Sequence, residues 1–187
     1  MYKRFEKALI NHCAATLAGH KAGSLFSYRL NQGEDPEEYI SHINKTLGHK
    51  GMHARLLKHC SKCCLVYAYR PSLLTVRLEG RGERAFLDRY GYHNDWTIDE
   101  HLDQLSQRIY CGNNFPHEIG LFLDYPLTDV EAFISNNGCN YCCVGCWKVY
   151  SDADTARRRF ALYEKCRQVY LRCYKNGFDV LRLTVAA

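Results

Sequence analysis

The chain has few of the features that divide a protein into parts or anchor it in a membrane. Only four of its 187 residues are proline, and no proline-rich linker, internal repeat or low-complexity tract interrupts it. The sequence therefore predicts one globular domain over residues 1–187. No apolar run approaches the ~18–20 residues of a membrane-spanning helix. Asn11 and His12 also break the apolar stretch near the start. These absences predict a cytoplasmic protein with no membrane partner.

The chain also lacks the short motifs that would name a reaction. Gly80 and Gly82 are not followed by the further glycine of a phosphate-binding loop, and no strand is predicted before them. The sequence has no nucleophile elbow and no His-Glu-x-x-His motif of a metalloprotease. It shows no helix-turn-helix or RNA-binding signature, and its formal charge is only +5. We therefore do not expect nucleic acid as a partner.

Cysteine, by contrast, is abundant, with eleven residues of which seven fall in two short segments. Both segments contain the Cys-x-x-Cys spacing that can grip a soft metal ion or close a redox disulfide. The candidate metal ligands are Cys60, Cys63, Cys139, Cys142, Cys143 and Cys146. Zinc or an iron–sulfur cluster would suit a thiolate set drawn from both segments. The alternatives are redox thiols and small core residues, since free cysteine is often buried.

Local signals predict an α+β fold. Asp35 and Pro36 begin one helix, Thr97 and Glu100 form a capping box for another, and a third helix is expected after a similar box at residues 128–131. A continuous apolar run over residues 63–69 predicts a strand buried on both faces. The full expectation is a small mixed sheet of about four strands packed with five to seven helices. Its strands are a hairpin near 53–69 and two segments near 146–150 and 178–185.

Two further phrases are distinctive, namely FPHEIGLFLDYP at residues 115–126 and GCWKVY at residues 145–150. With them the chain resembles an uncharacterised family found mainly in clostridial anaerobes and catalogued only as a domain of unknown function. The resemblance covers nearly the whole chain. It implies a cytoplasmic protein of an anaerobe, and it implies no activity.

The phrases of this resemblance contain a second set of candidate residues, which could form an enzyme site. Cys13 could be a nucleophile activated by His117, with Glu118 orienting the imidazole. Neighbouring His117 and Glu118 cannot point the same way on a helix, so one is expected to serve the site and the other the scaffold. Lys21 could bind an anionic group, and Lys148 could be a third polar group beside His117. The alternatives are a core role for Cys13 and solvent exposure for both lysines.

The last long helix is basic. It carries seven cationic residues, namely Arg157, Arg158, Arg159, Lys165, Arg167, Arg172 and Lys175. Such a helix could bind an acidic protein partner, for example a flavodoxin-like electron carrier. The alternative is a solvated face, because three consecutive arginines point around a helix and not to one side. The sequence thus favours a cysteine-rich metal-binding or redox-associated protein, with a small enzyme and a binding module as alternatives.

Overall fold

The structure, a computed structural model, describes residues 2–111 and 115–186. Its helices are α1 (Lys3–Leu17), α2 (Pro36–Leu47), α3 (Pro71–Leu78), α4 (Arg81–Asp88), α5 (Ile98–Cys111), α6 (Ile119–Phe122), α7 (Leu127–Ser135), α8 (Ala153–Lys175) and α9 (Val180–Leu183). Its strands are β1 (Gly23–Arg29), β2 (His53–His59), β3 (Cys63–Tyr69), β4 (Cys143–Val144) and β5 (Lys148–Val149). The predicted α+β class is confirmed, and the described part contains nine α-helices where five to seven were expected. The surplus comes from short elements such as the four-residue α6 and α9.

The larger sheet has three antiparallel strands in the order β1-β3-β2. The predicted hairpin of β2 and β3 is present, and β3 lies in the centre, as its continuous apolar sequence indicated. Strand β1 was not predicted. Its sequence, GSLFSYR, places serines among the apolar residues, so the alternation that signals a strand is weak. One of these serines, Ser24, is buried and shares a 2.9 Å hydrogen bond with Thr16.

Alternate residues of β3 face two different cores, because successive side chains of a strand point to opposite faces. Cys64, Val66 and Ala68 pack against α1 and α2 on one face. Tyr67 and Tyr69 join a second cluster with residues of α3, α5 and α6 on the other face. Burial on both faces explains why the β3 sequence contains no polar residue.

Two strand predictions need correction. The strand expected near 146–150 is reduced to the two-residue β5, which pairs with β4 in a separate two-stranded antiparallel sheet. The strand expected near 178–185 is wrong, because this segment forms the short helix α9. The Asp179 side chain accepts a 2.7 Å hydrogen bond from the Arg182 backbone N–H and begins the helix. Val180 and Leu183, one turn apart, both reach the core. Every strand pairing within the described residues is antiparallel, and not mixed as expected.

Helix α8 holds the small β4–β5 hairpin against the rest of the molecule. A third hydrophobic cluster joins Trp147 and Val149 of this segment to Ala156 and Tyr163 of α8 and Ala15 of α1. Gly145 packs so closely on the Phe160 ring of α8 that a side chain there would have no room. The hairpin therefore has a defined position, although it has only four residues in strand pairing.

Candidate functional site

The two distinctive phrases of the sequence meet in space and line one cavity of about 370 Å³. Its walls come from residues 115–125, from α7 and from residues 144–148. Most of the lining is apolar, including Phe115, Ile119, Leu123, Val130, Phe133 and Trp147. The polar side chains in the wall are those of His117, Asp129, Cys146 and Lys148. A mostly apolar cavity with a few polar groups is the usual form of a small-molecule site.

Asp129 organises this cavity. It is 2% exposed, and its carboxylate accepts hydrogen bonds from Trp147 Nε1 (2.7 Å), the Tyr150 backbone N–H (2.9 Å), and the backbone N–H and hydroxyl of Ser151 (3.1 and 3.0 Å). These four bonds tie the β4–β5 segment to α7. Because both carboxylate oxygens of Asp129 accept hydrogen bonds from the protein, its role is to hold the cavity walls together.

Sequence reasoning misassigned this aspartate to a capping box at residues 128–131. The box does not form, because α7 begins at Leu127, directly after Pro126. The Ser151 hydroxyl, directly before Asp152, donates to Asp129 and does not cap α8. Asp152 takes the capping role, accepting from the Thr155 backbone N–H at 3.0 Å.

His117 and Lys148 approach the same aromatic ring in the cavity wall. The His117 ring meets Phe133 edge-to-face with centroids 5.1 Å apart, and the Lys148 ammonium lies 5.7 Å from the Phe133 centroid. Lys148 Nζ also donates a 2.7 Å hydrogen bond to the Gly138 carbonyl and lies 4.9 Å from the Tyr141 ring centroid. Two of the residues chosen from the sequence are thus brought into one cavity.

Cys146 supplies a thiol to the same cavity. Although the residue is exposed, partial enclosure of the sulfur raises the pKa of the Cys146 thiol, while the charges of Lys21 and Arg159 oppose that rise. Its backbone carbonyl accepts a 3.0 Å hydrogen bond from the Tyr125 hydroxyl, and Tyr125 stacks on Trp147 with centroids 5.0 Å apart. Cys146 was predicted as a metal ligand, and its place beside His117 and Lys148 was not foreseen.

The Lys21 ammonium lies between two tyrosines. Its ammonium is 5.6 Å from the ring centroids of both Tyr125 and Tyr163. Burial lowers the pKa of Lys21, and the nearby Cys146, Cys13 and Asp124 side chains favour its charged form. Lys21 itself does not line this cavity but a separate pocket, together with His20, Arg77 and Asp124.

The remaining two residues of the predicted enzyme site lie in the protein interior. Cys13 has no exposed surface and does not line the cavity, and burial raises the pKa of its thiol to about 12. Glu118 is fully buried, pairs with Arg108 and accepts a 3.3 Å hydrogen bond from the Tyr92 hydroxyl. His117 therefore lines the site while its neighbour Glu118 serves the scaffold. The geometry offers no support for Cys13 as the nucleophile.

Most of the chain, including both segments that line the cavity, matches one protein-family model. The family model described as "Protein of unknown function (DUF3793)" matches residues 9–184. The chain belongs to this family. The predicted family resemblance is thereby confirmed, whereas the clostridial origin and the two phrases as family motifs stay predictions. No match was found among curated proteins or among solved structures. No helix in the described part of this DUF3793 chain is long and apolar enough to cross a membrane.

The two cysteine segments do not converge on one ligand set. Cys60 and Cys63 have their sulfurs 3.3 Å apart at the turn of the β2–β3 hairpin. In the second segment, Cys139 Sγ approaches the Asn137 carbonyl and Cys142 Sγ the Tyr150 carbonyl, while Cys146 lines the cavity. Among residues 2–111 and 115–186, no three His, Cys, Asp or Glu side chains are grouped to hold a metal ion. A zinc or iron–sulfur site shared by both segments stays a prediction without geometric support.

The basic residues of α8 are partly neutralised within the fold. Arg157 pairs with Asp154 at 2.9 Å, and Arg167 pairs with Glu164 at 2.8 Å. The Arg159 guanidinium pairs with the Asp124 carboxylate at 2.8 Å. These pairs reduce the positive charge that the helix offers to an acidic protein, and the flavodoxin-like partner stays a prediction.

Proposed function

We propose that this DUF3793 protein binds a small organic anion in the cavity between residues 115–125, α7 and residues 144–148. The observation that carries the proposal is the placement of His117 and Lys148 on one largely apolar cavity of about 370 Å³. That volume falls in the range of roughly 300–1,000 Å³ that is usual for small-molecule sites. The apolar walls would hold an aromatic or acyl body, and the two basic groups would meet the anionic end.

The mouth of the cavity supports this proposal. Phe115 and Val144 both line the cavity, and they are 51% and 62% exposed. Tyr141, whose ring lies 4.9 Å from the Lys148 ammonium, is 43% exposed. Large apolar side chains that gather at the rim of a cavity are a common sign of a ligand surface. A bound aromatic group would cover them, with a gain of about 25 cal/mol for each Å² of apolar surface removed from water.

The test uses an aromatic anion, 8-anilinonaphthalene-1-sulfonate, whose fluorescence rises in apolar surroundings. We expect saturable binding with one site per chain, and about tenfold weaker binding for Lys148→Gln, because a charge-assisted contact is lost. Glutamine keeps a donor for the Gly138 carbonyl. The matched control is Lys165→Gln, since Lys165 is an exposed residue of α8 outside the cavity. Equal affinity of the two variants would contradict the proposal.

A thiol enzyme is the second candidate, favoured by the presence of Cys146 in the same cavity as His117. Cys146 takes the place that the sequence suggested for Cys13. His117 would accept the proton of the Cys146 thiol, and the resulting thiolate would add to an acyl carbon of the ligand as the carbonyl π bond opens. Collapse of this adduct would expel the leaving group, which would take the proton back from His117.

This second candidate is tested by alkylating each thiol with iodoacetate or iodoacetamide and reading the sites by mass spectrometry. For each thiol, the rate with iodoacetate is divided by the rate with iodoacetamide. This ratio should be higher at Cys146 than at Cys139, because the basic cavity would attract the anionic reagent. The variant His117→Gln should slow both reagents at Cys146, and the exposed His20→Gln should not. A Cys146 rate that is indifferent to His117 would leave the thiol without a base and reject the enzyme role.

A further inference from the structure

The turn of the β2–β3 hairpin carries a second pair of chemically active groups, distant in sequence from the cavity segments. The Cys60 backbone N–H donates a 2.8 Å hydrogen bond to the Cys63 carbonyl, so only Ser61 and Lys62 form the turn. The Lys62 carbonyl accepts a 2.9 Å hydrogen bond from the Leu30 backbone N–H, which anchors the turn to the segment that follows β1. Cys60 and Cys63 are therefore held face to face by backbone contacts.

The side chains of this pair are also in contact. The two sulfurs are 3.3 Å apart, and both residues are exposed. Residues that face each other in a hydrogen-bonded antiparallel pair have Cα atoms about 5.5 Å apart, which is within the span that a disulfide can bridge. A Cys60–Cys63 bond could form with little movement of the backbone.

The two thiols of the pair also differ in the direction in which their pKa is shifted. A hydrogen bond from the Lys62 backbone and the hydrogen bond shared with the Cys63 thiol lower the pKa of Cys60, and the contact with Cys60 raises the pKa of Cys63. The positive charge of Lys62, within the turn, also lowers the pKa of Cys60. Cys60 is thus the better nucleophile, with Cys63 placed to resolve a bond that forms on it.

A metal ion fits this turn less well than a disulfide does. Soft metals such as zinc take about four ligands in a tetrahedral array. Cys60 and Cys63 supply two, and in the described residues they belong to no group of three possible ligands. The next thiol along the chain, Cys64, points into the core and is 1% exposed.

We propose that Cys60 and Cys63 form a redox-active dithiol that exchanges with low-molecular-weight or protein disulfides. The Cys60 thiolate attacks one sulfur of the incoming disulfide, forms a mixed disulfide and releases the first thiolate. Cys63 then loses its proton and attacks Cys60 Sγ, which releases the second thiolate and closes the Cys60–Cys63 bond. Two electrons pass from the pair to the incoming disulfide, and a reducing dithiol reverses the sequence.

The experiment uses the full chain with mixtures of reduced and oxidised glutathione, followed by alkylation and tryptic mass spectrometry. Trypsin cleaves after Lys62, so the closed bond would join two peptides that separate in the reduced protein. We expect Cys63→Ser to accumulate glutathione on Cys60, because the resolving thiol is gone. Cys60→Ser should take up glutathione at Cys63 at least tenfold more slowly. The variant Cys139→Ser is the matched control and should behave as wild type.

Three outcomes would overturn the proposal. One is the absence of a Cys60–Cys63 linkage under fully oxidised glutathione. Another is equal rates of glutathione uptake in Cys60→Ser and Cys63→Ser. The last is protection of both thiols from alkylation by one equivalent of zinc, which would identify the pair as part of a metal site. Each variant is checked for folding by comparing its circular dichroism spectrum with that of the wild type. The spectra should agree, because the Cys60 and Cys63 side chains are both exposed.

Discussion

The two cysteine segments share a spacing but not a structure, and the comparison shows what the Cys-x-x-Cys pattern can specify. At the hairpin turn, antiparallel pairing sets Cys60 and Cys63 opposite each other, and their sulfurs meet. In the second segment the chain winds through the left-handed residues Asn137 and Asn140. Its thiols approach separate carbonyl groups, and Cys146 faces a cavity. Spacing thus brings sulfurs together only where the backbone between them is a tight turn.

Among the variants that should affect the two cysteine segments differently, Asp129→Asn is expected to have the largest effect on stability. Asparagine offers one acceptor oxygen in place of two, so buried donors such as Trp147 Nε1 lose their partner at a cost of about 2–4 kcal/mol. Urea unfolding measures this loss. In the same variant, alkylation of Cys142 and Cys146 should accelerate, while alkylation of Cys60 should not change. Asp95→Asn, at an exposed aspartate, is the control. Uniform acceleration at all cysteines would mean that the segments are not independent.

The adjacent residues Cys63 and Cys64 allow a comparison within the first segment. Cys64→Ser places a hydroxyl in the core formed with Val66 and should destabilise the protein by roughly 1–3 kcal/mol. Cys63→Ser, on the exposed face, should leave the midpoint of urea unfolding within the error of the measurement. Equal losses would contradict the alternation of β3 between core and surface.

The backbone of the second segment gives a smaller effect. Gly138 has φ +73°, and an added Cβ would lie 3.1 Å from the Phe133 ring and 3.3 Å from Lys148 Nζ. Gly138→Ala should therefore cost roughly 1–2 kcal/mol, the penalty of a left-handed residue that carries a Cβ. It should also weaken binding of the aromatic anion, because Phe133 and Lys148 both line the cavity. A variant with unchanged stability would show that this turn does not hold the cavity wall.

Local signals in the sequence were sufficient for several helices. The helix caps at Asp35 and Thr97 form as predicted, with the Glu37 backbone N–H donating to Asp35 at 2.9 Å and the Thr97 backbone N–H donating to Glu100 at 2.7 Å. Segments whose sequence is compatible with both a strand and a helix were harder to predict. Residues 178–185 have enough β-branched and apolar residues for a strand, and the cap at Asp179 was the signal that could have identified a helix.

The cavity was only partly accessible to sequence reasoning. His117 and Lys148 were identified because they lie in the two phrases on which the family resemblance was based, and both line the cavity. Asp129 was missed because its neighbours imitate a capping box, whereas its hydrogen bonds reach 18–22 residues along the chain. Cys146 was assigned to metal by its spacing to Cys143. Its place in the cavity depends on long-range contacts such as the hydrogen bond from the Tyr125 hydroxyl to its carbonyl, which no local pattern encodes.

The smallest expected difference between the segments concerns reaction rates and not stability. It is the pH at which each cysteine becomes reactive toward an alkylating reagent. Alkylation requires the thiolate, so the rate at each cysteine rises with pH through its pKa. Because the pKa of Cys60 is lowered by hydrogen bonds within the turn, its reaction with iodoacetamide should reach half-maximum at a lower pH than that of a free cysteine peptide. Burial raises the pKa of Cys64 to about 11 and that of Cys13 to about 12, so both should stay unreactive at neutral pH.

The variant Cys63→Ser sharpens this measurement. A serine hydroxyl can still donate to the Cys60 sulfur, whereas Cys63→Ala removes that donor and should move the Cys60 profile to higher pH. The Cys146 profile should be the same in both variants, because its surroundings are Lys21, Arg159 and the cavity wall. If Cys63→Ala leaves the Cys60 profile in place, the contact between the two sulfurs has no chemical effect. The hairpin pair would then be no more specialised than the separated thiols of the second segment.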